Sequence, residues 1–232
     1  MSIYMIPCPI VEEHIDTIPE STLKALHALN HFIVERAKTA RRFIKRSDHP
    51  TPLQEIDIFE LNKHDPWEGL NEYLSKNARI QDIGVISEAG CPGIADPGSR
   101  VVSWAQEHNV PVIPLVGPSS ILLALMGSGF NGQQFTFHGY LPHDKGKLVK
   151  KLRWIELDVQ KNGSTHIFIE TPYRNKSLLT TTCSCLRPGT LLSISIDLTG
   201  TDQEVKTLPI KQWIKKDAAF LHKRPAVFCI GR

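Results

Sequence analysis

From Ile83 to Ala105 the chain reads as strand, glycine-rich loop and helix, and this order restricts the fold more than any other stretch. Ile83-Gly84-Val85-Ile86 is a short unbroken apolar run, as a strand covered on both faces requires. Ser87-Glu88-Ala89-Gly90-Cys91-Pro92-Gly93-Ile94-Ala95-Asp96-Pro97-Gly98 follows, with three glycines and two prolines that rule out a regular element. Ser99-Arg100-Val101-Val102-Ser103-Trp104-Ala105 then has helical spacing, with Asp96 a fair N-cap and Pro97 placed where a missing N–H does no harm. A loop that opens at the carboxyl end of a parallel strand is where open α/β sheets bind ligands, and glycine lets backbone approach a ligand closely.

The rest of the chain extends this pattern. Strands are expected at Ser2–Ile6, Phe32–Glu35, Asp57–Leu61, Ile83–Ser87 and Val110–Leu115. Helices are expected at Glu20–Leu29, Ala37–Arg46, Trp67–Lys76 and Gly98–His108. Such alternation implies right-handed βαβ units and a parallel sheet. Beyond Ser119 the strands crowd together, near Gln134–Gly139, His166–Glu170, Leu191–Ile196, Glu204–Leu208 and Ala226–Ile230. Leu191–Leu208 reads as two strands joined through Thr199-Gly200-Thr201-Asp202. The expected architecture is an α/β chain of two lobes: an N-terminal α/β/α lobe on a parallel sheet, residues 1–117, and a C-terminal lobe on a mixed sheet, residues 118–232.

Several function classes are excluded by what is missing. No Gly-x-Gly-x-x-Gly follows the first strand, no Gly-Lys-Ser/Thr is present, and no serine or cysteine sits in a nucleophile elbow. The five cysteines are Cys8, Cys91, Cys183, Cys185 and Cys229. Their odd number and their spacing, with no Cys-x-x-Cys, speak for reduced thiols in a cytoplasm and against a metal site or disulfide framework. The most apolar stretch, Val110 to Met126, is too interrupted by Pro111, Pro114, Gly117 and Pro118 to span a membrane, so no membrane partner is expected. A net charge of +3 is too small to imply a polyanion partner by itself.

Charge clustering is more telling. On a helix turning about 100° per residue, Lys38, Arg41, Arg42, Lys45 and Arg46 share one face, while Ala37, Ala40, Phe43 and Ile44 share the other. A solvated face and a surface for RNA phosphates both fit this pattern. Lys145, Lys147, Lys150, Lys151 and Arg153 form a second cluster. Among carboxylates at strand ends, Glu35, Glu88, Glu170 and Asp96, a cap or turn role is the simpler reading of Asp96. Glu35 and Glu170 remain the candidate catalytic groups.

Four segments in order resemble the tetrapyrrole methylase superfamily, the class III S-adenosylmethionine methyltransferases. They are the glycine-rich loop, Val116-Gly117-Pro118-Ser119-Ser120-Ile121, His138-Gly139-Tyr140-Leu141-Pro142, and Ile169-Glu170-Thr171-Pro172-Tyr173-Arg174. The branch that the chain looks most like is the ribosomal small-subunit RNA 2'-O-ribose methyltransferases. The resemblance runs from Ile3 nearly to Arg232 and is strongest from Val85 to Arg174. It implies an S-adenosylmethionine cofactor in a cleft between the lobes, held largely by backbone. The matching positions are Pro9, Gly90, Cys91, Ile94, Ser119, Ser120, Glu170, Leu198 and Ala226. It also implies a homodimer and an RNA acceptor. The first loop diverges, since Pro9-Ile10-Val11-Glu12-Glu13 has no glycine where the superfamily has one. Val34-Glu35-Arg36-Ala37-Lys38 keeps the Glu of the branch's Ala-Glu-Asp-Thr-Arg and not its Asp-Thr. A tetrapyrrole or other small-molecule acceptor, and a non-catalytic paralogue that binds S-adenosylmethionine, are the alternative readings.

Overall fold

A computed structural model describes residues 1–61 and 67–232, which divide into two compact units, Met1–Ser119 and Ser120–Arg232. The first unit alternates β1 (Ile3–Ile6), α1 (Glu20–His27), β2 (His31–Val34), α2 (Ala37–Arg46), β3 (Asp57–Glu60), α3 (Leu70–Asn77), β4 (Ile83–Ile86), α4 (Gly98–Glu107) and β5 (Val112–Pro114). The five strands pair in the order β3-β2-β4-β1-β5, all parallel. The expected α/β/α arrangement on a parallel sheet is present.

Strand alternation divides the core of this unit in two. Ile3 and Met5 of β1 pack with Val101, Trp104 and Ala105 of α4 and with Leu70 and Leu74 of α3. Tyr4 and Ile6 point the other way, toward Leu26 of α1 and Ala40, Phe43 and Ile44 of α2. Topology explains the split. From β1 the chain moves toward the β3 edge and from β4 it moves toward β5, so right-handed crossovers place α1 and α4 on opposite faces. β1 and β4 are neighbours whose connections diverge, which makes their carboxyl ends the switch point where α/β sheets form a ligand crevice.

Some boundaries differ from the sequence expectation for local reasons. α3 begins at Leu70, not Trp67, because Gly69 is left-handed at φ +67°. β5 begins at Val112, not Val110, because the Val110 N–H closes α4 by donating to Ala105.

The second unit contains α5 (Ser120–Ser128), β6 (Phe135–Tyr140), α6 (Lys145–Asn162), β7 (Thr165–Ile169), α7 (Asn175–Cys185), β8 (Leu191–Ile196), β9 (Glu204–Pro209), α8 (Ile210–Trp213) and β10 (Ala226–Gly231). The sheet order is β6-β7-β10-β8-β9. β6 and β7 are parallel and the remaining pairs antiparallel, so this sheet is mixed, as expected. One face packs on α6 and α7 through Leu152, Ile155, Phe168, Leu178 and Phe228. The other packs on α5 through Ala124, Leu125, Ile167, Val227 and Cys229. Phe168 and Phe228 stack with ring centres 5.7 Å apart and are fully buried, which stabilises the unit by about 1.5–3 kcal/mol for each ring.

A polar chain runs through the first of these faces. Asp158 of α6 accepts from His166 Nε2 at 2.9 Å, and His166 Nδ1 lies 2.7 Å from His138 Nε2. Ser164 also donates to Asp158, and the Trp154 indole packs edge-on against both imidazoles. Since a carboxylate only accepts, His166 carries its proton on Nε2 and its Nδ1 accepts from His138. Burial, then Lys151 and His166, hold the His138 imidazole down to about 4, against the opposing pull of Asp158. A group whose folded pKa lies below its unfolded value binds more protons when unfolded. Stability should therefore be intact above pH 6.5 and fall as pH drops through about 4, by on the order of 1 kcal/mol for a half-exposed ring. Titrating His138 by its imidazole NMR signals checks this, and a midpoint near 6.5 would contradict it.

Candidate functional site

The loops after β1 and β4 are joined to each other. Cys8 N–H donates to Gly90 O at 2.9 Å and Gly90 N–H donates back to Cys8 O at 3.1 Å. This antiparallel bridge extends the centre of the sheet into the switch-point crevice. The glycine-rich loop then turns sharply. Gly90 and Gly93 have φ of +69° and +84°, a region that side-chain-bearing residues rarely occupy.

Asp96 holds this turn shut. Its Oδ1 accepts from Gly93 N–H at 2.8 Å and from Gly98 N–H at 2.7 Å. Pro97 occupies the position before the helix, and Asp96, one residue earlier, caps the first turn in its place. Burial raises the Asp96 carboxyl and the two N–H donors pull it back down. Asp96 is a structural clamp, in line with the simpler reading of its sequence position. Glu88 ties the same loop to the start of α2. Its Oε1 accepts from the Thr39 hydroxyl at 2.9 Å and pairs with Arg36 Nε at 3.3 Å.

A third loop closes the arrangement within this unit. Cys91 Sγ donates to Pro118 O at 3.4 Å, and the Thr22 hydroxyl donates to Val116 O at 2.7 Å. Burial, and secondarily Asp96, raise the Cys91 thiol above its ordinary value, so it is not a ready nucleophile.

Of the nine expected cofactor positions, Pro9, Gly90, Cys91, Ile94 and Ser119 lie in these three loops at the carboxyl edge of the parallel sheet. Pro9 and Gly90 are buried and Ile94 is exposed. In the second unit, Ser120 opens α5. Glu170, Leu198 and Ala226 share one edge of the mixed sheet. Glu170 follows β7, Leu198 follows β8, and Ala226 begins β10 opposite Ile196.

The two candidate catalytic carboxylates are placed differently. Glu35 directly follows β2, its N–H donating to Ile86 O at 3.4 Å. Glu170 is buried, accepts from Thr171 N–H at 2.8 Å and pairs with Arg174 Nη2 at 3.2 Å. A carboxylate engaged on both oxygens is better suited to orienting Arg174 than to taking a proton.

The basic face of α2 is real but uneven. Lys38, Arg41, Arg42, Lys45 and Arg46 are all exposed. The helix contains no acid to neutralise them, and the first loop supplies one. Glu12 pairs with Arg42 Nη1 at 3.2 Å and with Arg46 Nη2 at 3.5 Å, and Glu13 lies 3.8 Å from Arg46. Lys38, Arg41 and Lys45 have no ion-pair partner among the described residues.

Other site features are absent from the sequence reading. Arg224 Nε pairs with Asp197 at 2.6 Å and its Nη2 reaches Asp202 O at 2.8 Å, fixing the turn after β8 where Asp197 and Thr199 have positive φ. Among the described residues no cluster of His, Cys, Asp or Glu could hold a metal ion, and no helix is long and apolar enough to cross a membrane.

No family model matches the chain. It is similar over most of its length to proteins named ribosomal RNA small subunit methyltransferase I. The Vibrio cholerae protein is 27% identical over 218 residues, covering 93% of this chain and 72% of the relative. The Escherichia coli protein is 26% identical over 218 residues, with the same coverage of 93% and 72%. That of Micromonospora olivasterospora is 30% identical over 207 residues, covering 88% of this chain and 61% of the relative. Fold and similarity together make the chain a methyltransferase, an enzyme class whose general methyl donor is S-adenosylmethionine.

Proposed function

We propose that the chain transfers a methyl group from S-adenosylmethionine to ribosomal RNA, at a ribose 2'-hydroxyl. The observation that carries the reading is the bridged pair of loops at the switch point, Cys8 to Gly90, in a chain similar over 93% of its length to a protein named as an rRNA methyltransferase. The loop chemistry fits an adenosine with a short polar tail. It offers small residues, carbonyls and no phosphate-binding cation, and the raised thiol of Cys91 stays neutral. The resemblance gives Pro9, Gly90, Cys91, Ile94, Ser119, Ser120, Glu170, Leu198 and Ala226 as the residues that would hold the cofactor. A sulfonium donor arrives with its leaving group already activated. The residues therefore have to position the acceptor and exclude water, and positioning supplies most of the acceleration. Glu170 takes part by aligning Arg174. Lys38, Arg41 and Lys45 face the RNA backbone. The reading includes a homodimer working in the cytoplasm, with all five thiols free, as they are here.

Calorimetric titration with S-adenosylhomocysteine tests the cofactor site. Wild-type protein is expected to bind and Gly93→Val to lose binding. Valine at φ +84° also costs about 1–3 kcal/mol of strain, so the melting temperature of that variant should fall as well. Folded wild-type protein that gives no heat and no melting shift with the ligand would sink the reading.

A further inference from the structure

The second unit has a cavity of about 520 Å³ lined by His143, Lys145, Glu170, Tyr173, Arg174 and Lys176, among others. From its position and chemistry we infer a subsite for one nucleotide of single-stranded RNA, flanking the methyl acceptor; this rests on the RNA reading above. Its volume is within the roughly 300–1,000 Å³ of ligand pockets.

The fold puts the cavity at a productive place. β6 and β7 run parallel, so the segments after both, residues 141–144 and 170–174, emerge at the same sheet edge. That edge also carries Leu198 and Ala226 through the pairing of β7, β10 and β8. The cavity lies on the α6 and α7 side of the sheet, where Leu148 and Leu178 give it an apolar floor.

Three permanent cations face one carboxylate. Glu170 is buried and holds Arg174 by one guanidinium nitrogen, while a second, Nη1, lies 3.3 Å from His143 Nε2. A guanidinium only donates, so His143 accepts there and is neutral in this arrangement. Lys145 and Lys176 are exposed and make no ion pair among the described residues, which leaves the cavity with net positive charge for a phosphodiester. Tyr173 supplies the other half of the recognition. It is 78% exposed, the most exposed aromatic side chain among the described residues, and stacks on no ring among them. A free aromatic face beside cations is the arrangement with which single-strand binders stack a base and hold its phosphate.

Fluorescence anisotropy of the full chain with a labelled oligouridylate of about ten nucleotides, a length in the range of single-strand sites, tests the subsite. Tyr173→Ala should weaken binding about tenfold and Tyr173→Phe should restore it, because stacking needs only the ring. The double variant Lys145→Ala, Lys176→Ala should make the slope of log affinity against log salt shallower by about 1.4. The altered side chains are exposed, so melting temperatures should match wild type. If wild type binds the oligonucleotide and all three variants bind it equally, the subsite is overturned while the RNA reading stands. If wild type does not bind it, both are overturned together.

Discussion

Replacing Gly117 with alanine should cost about 1–3 kcal/mol of stability, the range for overpacking a filled site, and should abolish binding of S-adenosylhomocysteine. A Cβ at position 117 would lie 2.2 Å from Cβ and 2.7 Å from Cγ of Pro7. Neither partner can yield by a rotamer change, because Pro7 is a ring fixed to its own backbone. The backbone must move instead, and both segments belong to the expected cofactor site. Pro7 leads into the bridge between Cys8 and Gly90, and Gly117 precedes the Pro118 carbonyl that accepts from Cys91. Gly132→Ala is the matched control, since nothing lies within 4 Å of a Cβ there. Thermal unfolding and calorimetry on the two variants decide the matter. A Gly117→Ala protein that melts and binds like wild type would mean that the close approach of these loops has no role in shaping the site.

Elements whose identity depends on local pattern were legible in the sequence. The strand expected at Ser2–Ile6, the unbroken run Ile83–Ile86, and the amphipathic Ala37–Arg46 are all present where the local pattern puts them. The hairpin of β8 and β9 is also local, with its turn chemistry in four consecutive residues. Pairings made over long sequence distances were not legible. Nothing in the neighbourhoods of His138, Asp158 and His166 announces that β6, α6 and β7 bring them into one hydrogen-bonded chain. The same holds for Arg224 with Asp197, and for Glu12 with Arg42 and Arg46. The glycine-rich loop shows both sides. Its existence, its place after a strand and the capping role of Asp96 were readable, but the bond from Gly93 to Asp96 and the bridge to Cys8 depend on backbone geometry that composition does not encode.

The ion pairs of α2 change which residues should govern RNA binding. Counting cations on one face gives Lys38, Arg41, Arg42, Lys45 and Arg46 equal standing. In the folded chain Arg42 and Arg46 already share Glu12, so a phosphate must compete with a carboxylate for them. Such exposed pairs contribute only about 0–1 kcal/mol each to stability, yet they neutralise the local charge that an RNA backbone would meet. Lys38, Arg41 and Lys45 carry no such partner among the described residues and remain fully available. Each phosphate contact adds about 0.7 to 0.9 to the slope of log affinity against log salt, through counterion release. The triple variant Lys38→Ala, Arg41→Ala, Lys45→Ala should therefore bind an rRNA fragment with a slope shallower by about 2 to 3. Arg42→Ala with Arg46→Ala should change the slope much less. Removing Glu12 should act in the opposite direction, since Glu12→Gln releases two arginines to the polyanion and should steepen the dependence. The altered side chains of α2 are exposed, so in the triple and double variants cofactor affinity and melting temperature should stay near wild type. Measuring RNA affinity across a salt series for the four proteins separates the outcomes. If the two sets of cations contribute equally, the ion pairs with Glu12 break on binding. If neither set matters, the face is an ordinary solvated surface and RNA is held elsewhere.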